Sequence, residues 1–326
     1  MLSQTLLSLV AAAPVFAGPI AFLNTQRSYQ PVAGLDLAPY GVESCAAASE
    51  AQYFSCEAPS AVSNTSCCYE NFGIIMQTQF WDFNTTALAE ANSSCAGNPT
   101  LLRPNKKKAG SDQVCLDSVK SADNDDVSQV FTIHGLWDDL CDGSYHQFCN
   151  PDLEIADSES IADLLVNDFG RRDLLDIMEK FWINNDKSNV QGGGSASLWE
   201  HEFNKHGTCF NTLAPSCFTG NYTRHQNAVA YYQKVIEVWN NLPTYAFLQG
   251  AGIVPTTEGQ YALLDVQAAL AANHQGMDVY VGCQNNSISE IWYYHHVKGN
   301  VLEGEYMPVN SLTNSTCPKH VWYIPK

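Results

Sequence analysis

Twelve cysteines constrain this 326-residue chain more than any other feature of its sequence. An apolar N-terminal run, MLSQTLLSLVAAAPVFAGP, precedes them and ends in a small-x-small pattern at Val15-Phe16-Ala17. This run predicts a secretory signal peptide over residues 1–17. An even number of cysteines behind such a peptide predicts a disulfide framework formed in an oxidising compartment. Their spacing matches no paired Cys-x-x-Cys pattern of a zinc site.

Glycosylation sequons favour the same compartment. Six N-x-[ST] sequons occur, at Asn64, Asn84, Asn92, Asn221, Asn285 and Asn314. Together they are typical of a secreted glycoprotein, although residence in a vacuole or lysosome fits them equally well. The N-terminal run is too short for a membrane span and no later stretch is long enough, so we expect no membrane partner.

The charge balance limits the class of partner. The formal net charge is −18 and the sequence pI is about 4.7. A general nucleic-acid coat protein would be basic, so that class is disfavoured. A polyanionic substrate handled at a small, locally positive site remains compatible with this charge.

The order of the patterns predicts an α+β fold. Residues 71–81 and 129–137 are rich in strand formers, and strand-like stretches recur near the C-terminus, whereas helical periodicity dominates the middle of the chain, as in 160–182. We therefore expect a central antiparallel sheet with helices packed on it, stabilised by disulfides. Residues 18–44 read as an N-terminal arm, and the polar stretch 84–126 reads as an insert with its own Cys95 and Cys115.

The stretch WEHEFNKHGTC concentrates ionisable groups and resembles the H-E-x-x-H zinc signature at first sight. That signature needs two histidines four residues apart, whereas His201 and His206 are five apart and lie on different faces of a helix. The i,i+4 pairs are instead Glu202 with His206 and His201 with Lys205. This spacing predicts a metal-free site for proton transfer and anion binding; the structural alternative is a polar helix face exposed to solvent.

A second stretch, FTIHGLWDDLCDGSY, supplies a possible partner. His134 ends a strand-like run, where a histidine is usually an ordinary surface or core residue. Here Trp137 and Tyr145 offer aromatic faces for stacking a base, and Asp139 offers an acceptor for an exocyclic amine. Two histidines with a carboxylate and cations suit RNA cleavage, in which one imidazole takes the 2′-OH proton and the other protonates the departing 5′-oxygen.

These two stretches resemble the active-site segments of the ribonuclease T2 family of secreted acid endoribonucleases, especially its fungal members. The resemblance covers residues 45–326 as a single catalytic domain, apart from the insert. It implies cleavage of single-stranded RNA, not DNA, by a monomer without a cofactor or metal, through a 2′,3′-cyclic phosphate to a 3′-phosphate with little base specificity. It assigns these roles: general base, His206; general acid, His134; transition-state stabilisation, Glu202 and Lys205; phosphate binding, His201.

The resemblance also implies two base sites. Trp137, Asp139 and Tyr145 would form the primary site, with Asp139 favouring adenine. For the second site the candidates are Asn184, Asn185 and Gln79. One departure stands inside the first active-site segment, because Asp138 occupies a position where the family commonly has proline.

The disulfide pairing is likewise implied by the resemblance. The expected pairs are Cys45–Cys68, Cys56–Cys141, Cys67–Cys217, Cys149–Cys209 and Cys283–Cys317, while Cys95–Cys115 is inferred because both residues lie in the insert. The competing function is a catalytically silent, secreted binding glycoprotein of the same fold. Loss of either catalytic histidine would mark that alternative, and both are present.

Overall fold

The computed structural model describes residues 35, 38–94, 100–104, 127–184 and 194–326. Its strands are β1 (Ile74–Phe80), β2 (Leu101–Leu102), β3 (Thr132–Asp139), β4 (Gln260–Ala262), β5 (Tyr280–Gln284), β6 (Ser287–Lys298), β7 (Glu305–Val309) and β8 (His320–Val321). Its α-helices are α1 (Thr85–Ser94), α2 (Ile161–Asp163), α3 (Arg172–Phe181), α4 (Gly194–Lys205), α5 (Gln226–Asn240), α6 (Thr244–Gly250) and α7 (Leu263–Ala271).

The main sheet is antiparallel throughout and has the order β3-β1-β6-β5, with β7 pairing the second half of β6 beside β5. One face carries the large core, to which α3 and α5 contribute most of their apolar residues. The opposite face carries a smaller cluster of Ile74, Met76, Tyr280 and Tyr294, against which Trp137 packs. The predicted α+β class with a central antiparallel sheet is confirmed.

The predicted helical stretch 160–182 is interrupted in the structure. Within it, α2 continues as a π-helix over Leu164–Asp168, and Gly170 then adopts a left-handed φ of +68° before α3 begins. Glycine tolerates this conformation, which breaks the apolar run into two helices.

The described parts of the predicted insert pack into the domain. Leu88 and Ala91 of α1 are buried in the main core, and the Asn84 side chain caps the start of that helix. Strand β2 pairs with β4 in a small second sheet of order β2-β4-β8. Cys95, Cys115 and the predicted signal peptide lie outside the described residues.

Five disulfides join the described residues, at Cys45–Cys68, Cys56–Cys141, Cys67–Cys217, Cys149–Cys209 and Cys283–Cys317. These are the five pairs that the resemblance implied. The predicted N-terminal arm is also anchored where it is described, because Val42 forms a β-bridge with Phe218 and is buried. Within the described part of the chain, no helix is long and apolar enough to cross a membrane.

Candidate active site

A β-bulge in β3 aims His134 into the site. Thr78 of β1 pairs with Gly135 and Gln79 pairs with Ile133, so His134 is the extra residue on β3. Without this bulge, His134 and Trp137 would lie on opposite faces of the strand, because side chains alternate. With it, the two rings meet edge to face at 4.7 Å, and Phe80 stacks on His134 at 3.9 Å. The bulge therefore gathers residues of β1 and β3 around one imidazole.

Gly135 allows α4 to approach this edge of the sheet. A Cβ at position 135 would overlap the Glu202 carboxylate, so the close approach requires glycine. The Glu202 carboxylate is 1% exposed, accepts a 2.7 Å hydrogen bond from the Trp137 indole and lies 3.5 Å from Nε2 of His134. The i,i+4 spacing predicted a carboxylate directed at His206; the structure directs it to His134 instead, because β3 supplies both of its polar contacts.

His206 follows the last residue of α4 and is still held by a helical hydrogen bond from its amide to the Glu202 carbonyl. Its ring stacks on Trp137 at 5.1 Å, with 17° between the planes. The turn Gly207–Cys209 follows, and the disulfide to Cys149 secures it. Trp137 thus lies between the two imidazoles that the sequence singled out.

Burial governs the protonation of both histidines. It lowers the pKa of His134 to about 3 and that of His206 to about 2, with the positive charge of Lys205 acting in the same direction. Burial raises the pKa of Glu202 to about 8, opposed by the Trp137 hydrogen bond. At mildly acidic pH, Glu202 and His134 therefore hold one proton between them, which is the proton a general acid needs.

The two cationic candidates line the more open side of the site. Lys205 is half-buried at the end of α4, and its charge lowers the pKa of His134, His201, Glu202, His206 and Asp139. His201 is exposed and meets Phe148 edge to face at 6.1 Å. An anion bound here would lie near the positive charge of Lys205, and the side chains of Lys205 and His201 would keep part of their contact with water. Among the described residues, no group of three or more His, Cys, Asp or Glu side chains is arranged to hold a metal ion.

Comparison with known proteins identifies the family. The model of the ribonuclease T2 family matches residues 72–303, which include β1, β3 and the whole of α4. This chain belongs to the ribonuclease T2 family.

Relatives within the ribonuclease T2 family include "Ribonuclease T2-like 1-A" of Candida albicans, 39% identical over 81% of this chain and 55% of that protein. The chain thus spans about half the length of the Candida relative. Ribonuclease T2 of Aspergillus oryzae is 34% identical over 84% of this chain and 82% of that protein. The crystal structure of Actibind, a T2 ribonuclease, is 30% identical with a TM-score of 0.63, covering 90% of this chain and 99% of that one.

The residues that the resemblance assigns to the primary base site of a T2 ribonuclease are brought together only in part. Trp137 and Asp139 follow one another on the site face of β3. Burial raises the pKa of Asp139 to about 6, opposed by Lys205. Tyr145 lies on the loop after β3 and is 63% exposed.

The predicted second base site of a T2 ribonuclease needs one correction. Gln79 is completely buried: its amide nitrogen donates to the Leu242 carbonyl and its oxygen accepts from Thr244. It faces the core because it lies on the opposite side of the strand from Phe80, so in this structure it cannot reach a base. Asn184 is half-buried near the start of α4, and its backbone N–H donates to the Ser195 hydroxyl. Asn185 lies outside the described residues.

Two residues of this T2 site were missed at the sequence level. Phe80 stacks on His134. In the sequence, the only indication of this role is its position at the end of the predicted strand 71–81. Trp182 donates from its indole to the His134 carbonyl at 2.7 Å and thereby holds the bulge, a contact that no local pattern predicts.

Proposed function

We propose that this chain is a secreted endoribonuclease that cleaves single-stranded RNA without a metal or cofactor. In this proposal His206 removes the proton from the ribose 2′-OH, and the 2′-oxygen attacks the phosphorus. The bond from phosphorus to the 5′-oxygen breaks, and that oxygen takes a proton from His134. A 2′,3′-cyclic phosphate results, which water opens to a 3′-phosphate in a slower second step.

The observation that carries this proposal is the pair of imidazoles on either side of Trp137, with the half-buried His134 edge-on and the buried His206 stacked. General acid–base cleavage requires two such groups fixed in relation to one another and close to a single phosphate. The silent binding protein is the weaker alternative, because it would have no use for a proton shared between His134 and Glu202 in a buried site.

Charge stabilisation falls to the remaining polar groups in this proposal. Lys205, which ends α4, and Glu202, holding its shared proton, would stabilise the growing charge on the phosphoryl oxygens. The exposed His201 would bind phosphate. Trp137, Asp139 and Tyr145 would hold the base on the 5′ side, with Asp139 accepting from the exocyclic amine of adenine, and Asn184 with Asn185 would contact the next base.

Secretion and glycosylation belong to the same proposal. The N-terminal run predicts export, and all six sequon asparagines are exposed at the surface. A vacuolar or lysosomal destination would present the same features. We expect the mature protein to act as a monomer. We expect it to cleave RNA and not DNA, because the reaction uses the 2′-OH.

The test is digestion of poly(A), poly(U), poly(C) and poly(G) in EDTA at acid pH, with identification of the product ends. We expect all four to be cleaved, giving 2′,3′-cyclic and then 3′-phosphate ends. Products ending in 5′-phosphate, or inhibition by EDTA that zinc reverses, would contradict the mechanism.

The matching mutants are His134→Ala and His206→Ala. Each should lower kcat by at least about 100-fold, since removal of one positioned acid or base loses about 10²–10⁴ in rate. His320→Ala is the control, because this exposed histidine of the second sheet has no role in the site. Near-normal turnover of either site mutant, with the fold intact by circular dichroism, would overturn the role given to that residue.

A further inference from the structure

Asp138, at the position where the family commonly has proline, is completely buried near the end of β3. Neither of its carboxylate oxygens has a hydrogen-bond partner, although both are shielded from solvent. The nearest ionisable atom is Nδ1 of His206, 3.7 Å from Oδ1, and this nitrogen is itself buried without a partner. Two complementary polar groups therefore face one another in an apolar setting.

An unpaired buried carboxylate is strongly unfavourable, so a chain that carries one without using it should lose it readily. A modest rotation of the His206 ring, or the closing of the site on a substrate, would shorten the 3.7 Å distance from Nδ1 of His206 to Oδ1 of Asp138 to that of a direct hydrogen bond. Catalytic hydrogen bonds are commonly long in substrate-free sites and shorten in the complex. The 3.7 Å separation is therefore that of a catalytic hydrogen bond in a substrate-free site, and not that of a packing defect.

Burial and the surrounding charges disfavour the charged form of each member of the pair when the other member is neutral. Glu70, buried before β1, and the adjacent Asp139 add negative charge that raises the pKa of Asp138, in addition to burial. Tyr231 of α5 faces Asp138 from the core side, and its hydroxyl donates to the Leu136 carbonyl.

On the other side of the pair, Lys205, His134 and His201 add positive charge that, with burial, lowers the pKa of His206. A His206 left alone among these groups would be a weak base. A negative group at Nδ1 corrects this deficit, because it stabilises the imidazolium that forms during the reaction.

We propose that Asp138 is the positioning carboxylate of His206. It accepts a hydrogen bond from Nδ1–H, which leaves the lone pair of Nε2 to take the proton from the ribose 2′-OH, and it balances the positive charge of the protonated ring. Asp138 neither gains nor loses a proton in this step; the O–H bond breaks, an Nε2–H bond forms, and the oxygen electrons enter the new O–P bond. The inference rests on the proposed function, in which His206 is the base.

Asp138→Asn tests the inference because it keeps the shape and removes the charge. We expect kcat/KM for a dinucleotide to fall at least about tenfold, mostly through kcat, since one pKa unit of charge stabilisation corresponds to a factor of ten. The acid limb of the pH profile of kcat/KM should move to lower pH by about one unit, because an opposite charge at this distance raises the pKa of His206 by about 1–3 units. Asp152→Asn, at an exposed aspartate, is the charge-matched control.

Two further measurements keep the inference testable if Asp138→Asn folds poorly. In the full chain labelled with ¹⁵N-histidine, the wild type should show a downfield Nδ1–H resonance for His206 that is lost in Asp138→Asn. Asp138→Leu should raise the melting temperature while lowering kcat, as expected of a residue kept for function against stability. An Asp138→Asn enzyme with kcat/KM within twofold of wild type and an unmoved acid limb would overturn the inference.

The two proposals fail in distinguishable ways. If His206→Ala keeps its activity, the acid–base mechanism fails, even where the downfield resonance shows that Asp138 holds Nδ1. If His206→Ala is inactive but Asp138→Asn leaves both the resonance and the acid limb unchanged, only the positioning role of Asp138 fails.

Discussion

At the scale of single residues, each of the two imidazoles beside Trp137 lies near its own buried carboxylate. Nε2 of His134 lies 3.5 Å from Glu202, and Nδ1 of His206 lies 3.7 Å from Asp138. The Trp137 indole serves both halves, because its face stacks on His206 and its N–H donates to Glu202. In the proposed mechanism, the aromatic residue assigned to base binding therefore also contacts the groups that would transfer protons.

Trp137→Phe separates these two roles, because phenylalanine keeps a flat face and loses the indole donor. We expect kcat to fall by up to about tenfold, since an ordinary hydrogen bond contributes about 0.5–1.5 kcal/mol. The pKa of Glu202 should rise further, because the Trp137 donor lowers it, and the alkaline limb of the pH–rate profile should move to higher pH. Trp322→Phe is the control, since that indole donates to Asn92 and not to Glu202. An unmoved alkaline limb would contradict this prediction.

At the scale of elements, three pieces of chain hold the site together. The bulge in β3 presents His134, the end of α4 presents Glu202 and His206, and the loop after β3 carries Tyr145. The disulfide Cys149–Cys209 ties that loop to the turn after α4, and the Cys149 amide also donates to the Thr208 hydroxyl. The disulfide thus connects the loop that carries Tyr145 with the turn that follows His206.

Removing this disulfide should impair catalysis beyond its effect on stability. Cys149→Ala with Cys209→Ala opens a loop of 60 residues, and the control, Cys283→Ala with Cys317→Ala, opens one of 34. Chain entropy predicts a loss of about 4 kcal/mol in the free energy of unfolding for each. We expect kcat/KM to fall at least fivefold, as an order of magnitude for a displaced loop, in the first pair alone. Equal activity of the two variants, assayed where both are folded, would argue against a catalytic purpose for Cys149–Cys209.

At the scale of the whole molecule, buried ionisable groups shape the dependence of stability on pH. Burial raises the pKa of Glu70 to about 7 and of Glu202 to about 8. In the folded state these groups keep a proton that the unfolded chain releases near pH 4.5, so the stability they provide is lost as the pH rises through 7 and 8. The buried His134, His206 and His295 act oppositely, because their lowered pKa values remove stability as the pH falls below about 6.5.

These opposing trends predict greatest stability at mildly acidic pH. From pH 6.5 to 8 the free energy of unfolding should fall by about 2 kcal/mol from Glu202 alone, at about 1.4 kcal/mol per pH unit. Chemical denaturation at the two pH values measures this. Glu202→Gln should flatten the dependence, and high salt should leave it largely unchanged, because buried groups are screened little. A wild-type protein equally stable at both values would refute the prediction.

The fold class, the family and the residue types of the candidate site could be predicted from the sequence alone. Alternating and helical periodicities are local properties, and the segments around His134 and His206 carry their residues in contiguous order. The five described disulfides follow the pairing that the resemblance implied. The periodicities and the two segments can be predicted because they depend on neighbours in the chain, whereas the disulfide pairing follows from the resemblance.

Which carboxylate faces which imidazole could not be predicted from the sequence and depends on the packing of β3 against α4. Helical spacing directed Glu202 toward His206, but a bulge opposite Thr78 and a glycine at 135 bring it to His134. Asp138, a mere departure from the family pattern in the sequence, lies buried beside His206. Gln79, a plausible base contact in the sequence, faces the core. Each outcome depends on strand register and on the approach of distant elements, and burial then sets the charge that each group can carry.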